Sequence, residues 1–221
     1  MGGVTLRVGV HGASGRMGRM VLAELEAAPD LAVAWACGRD LPADLDCDVI
    51  VDFSTPDALR RLLAAGAAPV VTGTTGLEVE APPGRAVLHA PNFSLGVAVL
   101  KRLVREAARA LPGWDTEIVE LHHHGKRDAP SGTALALAEG LGPVVRGHDG
   151  LRVPGTVGVH AVRGGDIVGE HTVYLCGPGE RLQLGHVATH RGLFAAGAVR
   201  AARWIMGRPP GLYHLDDVLG G

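Results

Sequence analysis

The sequence predicts an α/β protein with two lobes: a parallel sheet covered by helices, then an α+β lobe with a mostly antiparallel or mixed open sheet. In residues 1–93, short apolar runs of strand length alternate with helical patterns, which is typical of a parallel sheet with both faces covered. From residue 94 the pattern changes to one long helix and then strands of period-two alternation between Gly-rich turns. At 221 residues the chain is long enough to bury a core in each lobe.

The first lobe begins with a strand, a glycine turn and a helix. The strand is TLRVGVHG, and the run GRMGRMVLAELEAAPD after it places Met17, Val21 and Leu25 at helical spacing before Pro29 ends the pattern. Further strands are expected over LAVAWAC, CDVIVDFS, APVVTGTTG and AVLHAPNFS, and a helix over PDALRRLLAAG. This alternation predicts one parallel sheet.

The second lobe, residues 94–190, begins with a helix and continues with strands. The apolar face of the helix is expected to hold Leu100, Leu103 or Val104, Ala107 and Leu111. The strands are TEIVELHH, VGVHAVRGGD, EHTVYL and ERLQLGHVAT, separated by turns such as CGPGE. The last helix, GLFAAGAVRAARWIMG, fits packing on either lobe through an apolar face of Phe194, Ala198, Ala201 and Ile205.

The composition describes an ordinary globular protein that binds small molecules. Hydrophobic residues make up 47% and charged residues 20%, and the formal net charge of -2 offers no basic surplus for nucleic acid. Three cysteines without C-x-x-C spacing indicate neither a disulfide framework nor a zinc knuckle, so we expect a reducing cytoplasm. Because neither a membrane-spanning apolar stretch nor a signal-peptide core is visible, export and membrane insertion are not expected.

Three glycines follow the first strand and open the first helix. In VGVHGASGRMG, Gly12, Gly15 and Gly18 give a tight turn and let a diphosphate approach the backbone. The helix N-terminus adds unpaired N–H groups and a partial positive charge. The spacing differs from the usual G-x-G-x-x-G, and a turn used only for packing is the alternative. The strand before and the helix after favour a Rossmann-like dinucleotide-binding lobe.

The end of the second strand bears on the choice of nucleotide. An acidic residue there would hold the ribose hydroxyls of NAD, whereas a basic residue suits the 2'-phosphate of NADP. This strand ends in Gly38 and Arg39, which favours NADP, although Asp40 follows closely and leaves NAD open. A solvated surface charge is the alternative interpretation of Arg39.

The segment ELHHHGKRDAPSGTA, residues 120–134, concentrates groups that hold protons. On a continuing strand His122 and His124 would face one side and His123 the other, so the three cannot converge on one metal ion. Acid chemistry is the better interpretation, because histidine has a pKa near neutral and Lys126 supplies a second donor. The positive charge of Lys126 should also lower the pKa of a neighbouring histidine.

The end of the same segment predicts an anion site. Ser131 is the expected N-cap of a helix that begins near Thr133, and the free N–H groups of that helix start would accept a carboxylate. A substrate that is both held and protonated here would be an acid. A polar exposed loop is the alternative.

Together these motifs resemble the dihydrodipicolinate reductase family of the diaminopimelate and lysine pathway. The resemblance covers nearly the whole chain and rests on GASGRMG, VTGTTG, APNFSLGV, ELHHHGKRDAPSGTA, VRGGDIVGEHTV and AAGAVRAARW. It implies hydride transfer from NADPH or NADH to a cyclic unsaturated imine dicarboxylate, which gives tetrahydrodipicolinate. It also implies a homotetramer that associates through the sheets of the second lobes, and a final helix that returns to the nucleotide lobe. The implied domains are residues 1–93 with 191–221 for the nucleotide, and 94–190 for substrate and oligomerisation.

The resemblance also assigns roles to individual residues, with no metal among them. His122 would be the proton donor and Lys126 a second acid that helps to hold the substrate. The substrate carboxylates would contact His123, Gly132 and Thr133. The nucleotide would contact Gly12, Ala13, Ser14, Gly15, Arg16, Met17, Arg39 at the adenosine phosphate, Gly73, Thr74, Thr75, Ala90, Pro91, Asn92 and Phe93.

Two features depart from the family pattern. Members that use NADH well tend to have an acid before the arginine, where this chain has Gly38. Connections such as GLEVEAPPGRA are short, so contacts made by longer loops cannot be carried over. We expect the substrate and nicotinamide to meet in a cleft between the lobes, with hinges near 92–94 and 189–191. The alternatives are another amino-acid-pathway dehydrogenase and a nucleotide-binding sensor without catalysis.

Overall fold

The computed structural model describes residues 5–220, so the first four residues, which the signal-peptide prediction includes, lie outside the described range. Contacts divide the chain into two compact units, one that runs to Leu95 and resumes at Gly192, and one that comprises Gly96–Arg191. The α/β fold class is confirmed. Within the described range, no helix combines the length and apolar composition needed to cross a membrane.

The helices and strands follow the sequence patterns closely. In chain order they are β1 (Leu6–His11), α1 (Arg16–Ala27), β2 (Leu31–Cys37), β3 (Val49–Asp52), α2 (Pro56–Ala65), β4 (Val70–Thr72), β5 (Ala86–His89), α3 (Leu95–Ala110), β6 (Asp115–His122), α4 (Gly132–Ala138), β7 (Val144–Arg146), β8 (Val157–Arg163), β9 (Gly169–Gly177), β10 (Glu180–Ala188), α5 (Gly192–Ile205), β11 (Gly211–Tyr213) and α6 (Leu215–Val218).

The first unit is built on a six-stranded parallel sheet of order β11-β5-β4-β3-β1-β2. Every residue of β3 and β4 is buried, as expected for central strands covered on both faces. The strand order reverses at β1, which has β2 on one side and β3 on the other. Helix α5 packs against β3, β4, β5 and α1, so the helix that fitted either lobe belongs to this sheet.

The second unit has a five-stranded mixed sheet of order β10-β9-β6-β8-β7. Strand β9 is antiparallel to β6 and β10, whereas β8 is parallel to β6 and β7. Both helices of the unit join one apolar cluster with the sheet, formed by Leu100, Val104, Ile118, Ala134, Leu137, Ala138, Val157, Val159 and Val173. In α3 the buried face therefore runs through Val104, while Leu103 is 46% exposed.

Candidate active site

The glycine turn after β1 has the close backbone contacts that its sequence predicts. Gly12 has a φ of +79°, and a Cβ there would collide with the backbone of Phe53. A Cβ on Gly18 would collide with the carbonyl of Gly12, so helix α1 packs directly on the turn. Gly15 occupies the N-cap of α1 and offers no side chain to its first N–H groups. The turn therefore leaves the helix start open to a phosphate.

A cavity of about 380 Å³ lies beside this turn, at the strand β1 where the sheet order reverses. Ligands of open α/β sheets bind at the carboxyl ends of the strands at such a point. The cavity brings together four predicted contacts, Gly12, Ser14, Gly15 and Arg39, and Asp40 lines it as well. Further lining residues that the sequence did not single out are Phe53, Ser54, Thr55 and Ala58.

The other two predicted nucleotide segments follow β4 and β5, at the same edge of the sheet. A Cβ on Gly73 would collide with the ring of Phe53, which explains the glycine. Phe93 is 2% exposed and its ring lies edge to face with that of Phe53, with 5.6 Å between centroids. Asn92 accepts the Ser94 N–H at 2.8 Å. Packing against Phe53 therefore holds both loops, Gly73–Thr75 and Ala90–Phe93, in place.

A buried carboxylate joins the ends of β1, β3 and β4 to the loops that follow β3 and β4. Asp52, the last residue of β3, is fully buried and accepts hydrogen bonds from the hydroxyls of Ser54 at 2.6 Å, Thr72 at 2.7 Å and Thr74 at 2.7 Å. His11 Nδ1 lies 2.8 Å from Asp52 Oδ1. Burial alone would raise the pKa of Asp52, but the hydrogen bonds from His11 and the three hydroxyls outweigh it and lower the pKa.

In the second unit, β6 ends at His122, so the strand alternation that the sequence suggested does not extend to His123 and His124. His122 is 8% exposed, and its Nδ1 contacts the carboxylate of Glu120. The two side chains share a face because they are two positions apart on one strand. The His123 N–H donates to Ile167 O at 2.7 Å, and His124 Nδ1 lies 2.9 Å from Gly165 O.

Glu120 is the centre of a buried network. Its side chain is fully buried, and Arg163 donates to both carboxylate oxygens, at 2.7 Å and 3.0 Å. The Ser131 N–H donates to the same carboxylate at 3.1 Å. The register of the sheet creates this arrangement, because Arg163 of β8 pairs with His122 and His171 of β9 pairs with Glu120.

Ser131 and His171 complete the surroundings of His122. Ser131 caps α4, as predicted, by accepting the Ala134 N–H at 3.1 Å, and the helix begins one residue earlier than expected, at Gly132. His171 Nε2 lies 3.2 Å from Ser131 Oγ, and its ring stands edge to face with that of His122 at 5.1 Å. Burial and the nearby His122 lower the pKa of His171 to about 4, so this ring is neutral at neutral pH.

Opposing influences act on the proton affinity of His122. Burial lowers its pKa most, Glu120 raises it, and the charges of Lys126 and Arg163 lower it, with a net decrease. The expected effect of Lys126 is therefore confirmed, although burial is larger. Glu120 thus favours the protonated ring but only partly offsets the effect of burial.

Lys126 and the start of α4 meet at Asp128. Lys126 Nζ lies 2.8 Å from the Asp128 carboxylate, and the backbone N–H of Gly132 also donates to it. The bond from Lys126 lowers the pKa of Asp128. Thr133 follows Gly132 in the first turn of α4. A side-chain carboxylate of the protein thus contacts two of the groups that were predicted to hold a substrate carboxylate.

The sequence interpretation missed Glu120, Arg163 and Asp52 as site residues. Glu120 and Arg163 lie 43 positions apart, so their pairing depends on a strand register that no local pattern shows. A usable signal was present for Glu120, since an acid two positions before His122 on a strand must share its buried face.

Among residues 5–220, two clusters of one glutamate and two histidines bring possible metal-ligand atoms within 4.8 Å of one another: Glu120 with His122 and His171, and Glu117 with His148 and His160. In each cluster an arginine donates to the glutamate, Arg163 at 2.7 Å in the first and Arg152 at 2.9 Å in the second. The guanidinium already supplies the positive charge that a cation would bring. Each cluster is therefore a hydrogen-bond network centred on a carboxylate.

Comparison with protein families gives two matches that together cover most of the chain. The model for the N-terminus of dihydrodipicolinate reductase matches residues 6–83, and the model for its C-terminus matches residues 96–219. A 4-hydroxy-tetrahydrodipicolinate reductase from Halorhodospira halophila is 40% identical, with 98% of this chain and 100% of that protein covered. One from Akkermansia muciniphila is 45% identical, with 96% of each chain covered. The first alignment spans 266 positions, more than this chain has, in agreement with its short connections.

Solved structures share the fold. A dihydrodipicolinate reductase from Paenisporosarcina sp. TG-14 with bound dipicolinate superposes with a TM-score of 0.76 at 22% identity, covering 96% of this chain and 99% of that one. The DAP dehydrogenase of C. glutamicum in complex with DAP gives 0.59 at 14% identity, covering 97% and 94%. The family models and the curated relatives together decide the assignment: the chain belongs to the dihydrodipicolinate reductase family of NAD(P)H-dependent oxidoreductases.

Proposed function

We propose that this chain reduces 4-hydroxy-tetrahydrodipicolinate, or the dihydrodipicolinate formed from it by loss of water, to tetrahydrodipicolinate. The observation that carries the proposal is the buried contact between Glu120 and His122, with Lys126 close by, in the segment that resembles the family signature. A sensor without catalysis would have no use for a histidine held in this way.

The first unit fits a dinucleotide. Gly12 and Gly18 lie where a Cβ would close the turn, and the cavity beside them is lined by Arg39. We assign the diphosphate to the segment Gly12–Met17, the adenosine phosphate to Arg39, and the nicotinamide side to Gly73–Thr75 and Ala90–Phe93. When bound, the reduced nicotinamide supplies the hydride. Because Arg39 and Asp40 line the same cavity, NADPH is the preferred cofactor and NADH a second one.

The second unit holds the substrate and the proton. A substrate ring that has accepted a hydride is electron-rich and must take up one proton, and His122 Nε2 is assigned as its donor. Lys126, His123, Gly132 and Thr133 are assigned to the substrate carboxylates. Lys126 contacts Asp128 at 2.8 Å, so a substrate carboxylate would share or replace that contact.

We also propose a homotetramer that assembles through the second sheet. The helices cover one face of that sheet, and the alternate residues of β6, such as Val119 and Leu121, lie on the other face and are only half-buried. Apolar side chains at exposed positions of neighbouring strands, Val162 at 44% and Val187 at 60%, support an interface there. The three unpaired cysteines support a reducing compartment such as the cytoplasm.

The test is to mix NADPH or NADH with the protein and the freshly generated pathway imine, and to follow the absorbance of the reduced nicotinamide. We expect loss of the reduced nicotinamide absorbance with NADPH and, more weakly, with NADH. Binding of NADPH without turnover would support a sensor instead. Turnover of DAP with NADP⁺, in the absence of imine reduction, would favour the dehydrogenase alternative.

A further inference from the structure

We infer that Glu120 is the positioning residue for His122, locked in place by Arg163 and the Ser131 N–H, and that it leaves Nε2 as the ring nitrogen that delivers the proton. The inference rests on the proposed function for its chemical meaning. The tautomer and protonation of the His122 ring can be measured whether or not the protein turns over substrate.

The geometry around Glu120 leaves its carboxylate little freedom. Both oxygens are taken up by the planar guanidinium of Arg163, at 2.7 Å and 3.0 Å, which is the bidentate arrangement that restricts rotation most. The Ser131 N–H fixes one oxygen further, at 3.1 Å. The carboxylate therefore presents a fixed acceptor to His122 Nδ1.

A histidine whose Nδ1 is bonded to a carboxylate carries its Nδ1 proton and can exchange only the proton on Nε2. Space exists at that atom because position 169 is glycine: a Cβ there would lie 3.0 Å from His122 Nε2 and 3.3 Å from Cδ2. The backbone of Gly169 does not require glycine, since its φ is outside the left-handed region. The small residue is thus explained by the ring that it accommodates.

The charges facing His122 come from every element around it. Glu120 lies on β6, Arg163 on β8, and Lys126 on the loop after β6, and each has a Coulombic influence on the ring. His171 on β9 faces the ring edge, with His186 of β10 behind it, and is neutral. Glu120 is thus the single negative group among the charges named, so its removal should make His122 harder to protonate.

The experiment compares Glu120→Gln with the wild-type enzyme. Glutamine keeps the shape but not the charge, so the pKa of His122 should fall. Because the protonated ring is the donor, the alkaline limb of the kcat profile should move to lower pH by about one to three units. Heteronuclear NMR of the His122 ring, assigned by comparison with His122→Ala, should show the same displacement and the loss of the single Nδ1-protonated tautomer.

A matched control is Glu117→Gln, a carboxylate on the same strand that also contacts two histidines and an arginine but lies on the opposite face. This variant should leave the tautomer and the alkaline limb of kcat in place. Glu120→Asp keeps the charge but shortens the side chain, so it should lower kcat more than it displaces the limb. It also serves as the test variant if Glu120→Gln does not fold.

The role of Glu120 is overturned by an unchanged limb and tautomer in Glu120→Gln or, if that variant does not fold, by wild-type values of both kcat and the tautomer in Glu120→Asp. Failure of the proposed function looks different, because the wild-type protein would then lack turnover while the His122 tautomer still reported on Glu120. Gly169→Ala gives an independent check. It should lower kcat without moving the limb, by crowding Nε2, and normal turnover would contradict delivery of the proton from that atom.

Discussion

Each unit of the molecule buries one carboxylate against a histidine, and the two pairs differ in what else surrounds them. Asp52 is enclosed by three hydroxyls and by His11, which is itself fully buried. Glu120 is held by the guanidinium of Arg163, and its histidine keeps 10% of its side chain exposed. An enclosed pair can only support the loops next to it, whereas a pair whose histidine side chain is partly accessible can exchange a proton. Solvent access to the histidine, rather than the pairing itself, therefore distinguishes a supporting pair from one that can take part in proton transfer.

The largest effect is expected from His122→Ala. It should lower kcat by about 10²- to 10⁴-fold, the usual contribution of a positioned general acid, and leave the dissociation constant of NADPH nearly unchanged. Steady-state kinetics and a nucleotide titration measure the two quantities. His124→Ala is the matched control, because His124 is an exposed histidine of the same segment. Near-full turnover of His122→Ala at neutral pH would move the proton donor to His123 or a bound water.

The supporting role of the other pair is tested by Asp52→Ala. The loss leaves the hydroxyls of Ser54, Thr72 and Thr74 without their acceptor, and we expect about 3–5 kcal/mol less free energy of unfolding in urea. Because the pKa of Asp52 is lowered in the folded protein, the stability it contributes is fully present above about pH 4 and is lost as the pH falls through the folded pKa.

The control for Asp52 is Asp57→Ala, which removes an exposed carboxylate paired with Arg60 and should cost less than about 1 kcal/mol. If both aspartate variants lose the same free energy of unfolding, Asp52 does not organise the loops, and the supporting role assigned to the Asp52–His11 pair is wrong.

A smaller effect is expected at the nucleotide cavity. Arg39→Ala should weaken NADPH by about ten- to hundredfold, the loss of charge-assisted hydrogen bonds to the 2'-phosphate, and NADH much less. Fluorescence titration with each nucleotide gives the ratio. Arg60→Ala, on the neighbouring helix and bound to Asp57 at 2.6 Å, should change neither affinity. Equal losses for both nucleotides in Arg39→Ala would mean that Arg39 does not contact the phosphate.

The smallest effect concerns Asp128. Asp128→Asn removes the carboxylate that Lys126 and Gly132 contact, so the KM for the dicarboxylate should fall by about two- to fivefold, in keeping with a pair of partly exposed charges. The kcat should change little. A higher KM would show that Asp128 orders the segment for binding, and that Asp128 does not compete with the substrate carboxylate for Lys126.

Most of the fold could be predicted because the patterns are strong. Strand β2 coincides with the predicted LAVAWAC, and α2 and α5 begin within one residue of their patterns. The strands β7 and β11 were missed because three residues are too few to show alternation, and the equally short β4 was recognised only within the longer run APVVTGTTG. Their pairing is decided by neighbouring strands and not by their own sequence.

The candidate site was predictable where a local motif defines it. Gly12 and Ser14 lie in the turn between β1 and α1, and Arg39 lies just after β2, so the three residues line one cavity. The strands, the turn and the helix each have a local pattern in the sequence. Asp52 looked like the end of an apolar strand, since two of the three hydroxyls that enclose it come from β4 and the loop after it, 20 and 22 positions away. The partner of Glu120 likewise depends on register.

The path of the chain through the first unit decides the order in which that unit can be completed during synthesis. Helix α5 buries seven residues, most of them small, against the first sheet, yet it is translated only after the whole of the second unit. The strands β1–β5 therefore emerge from the ribosome before the helix α5 that packs on them has been synthesised. The second unit, Gly96–Arg191, is continuous in sequence and can fold as soon as it emerges. An early stop before residue 192 would remove α5 and β11 and expose the apolar surface of β3, β4 and β5 that α5 covers, so the truncated chain should be a target for chaperones and proteases.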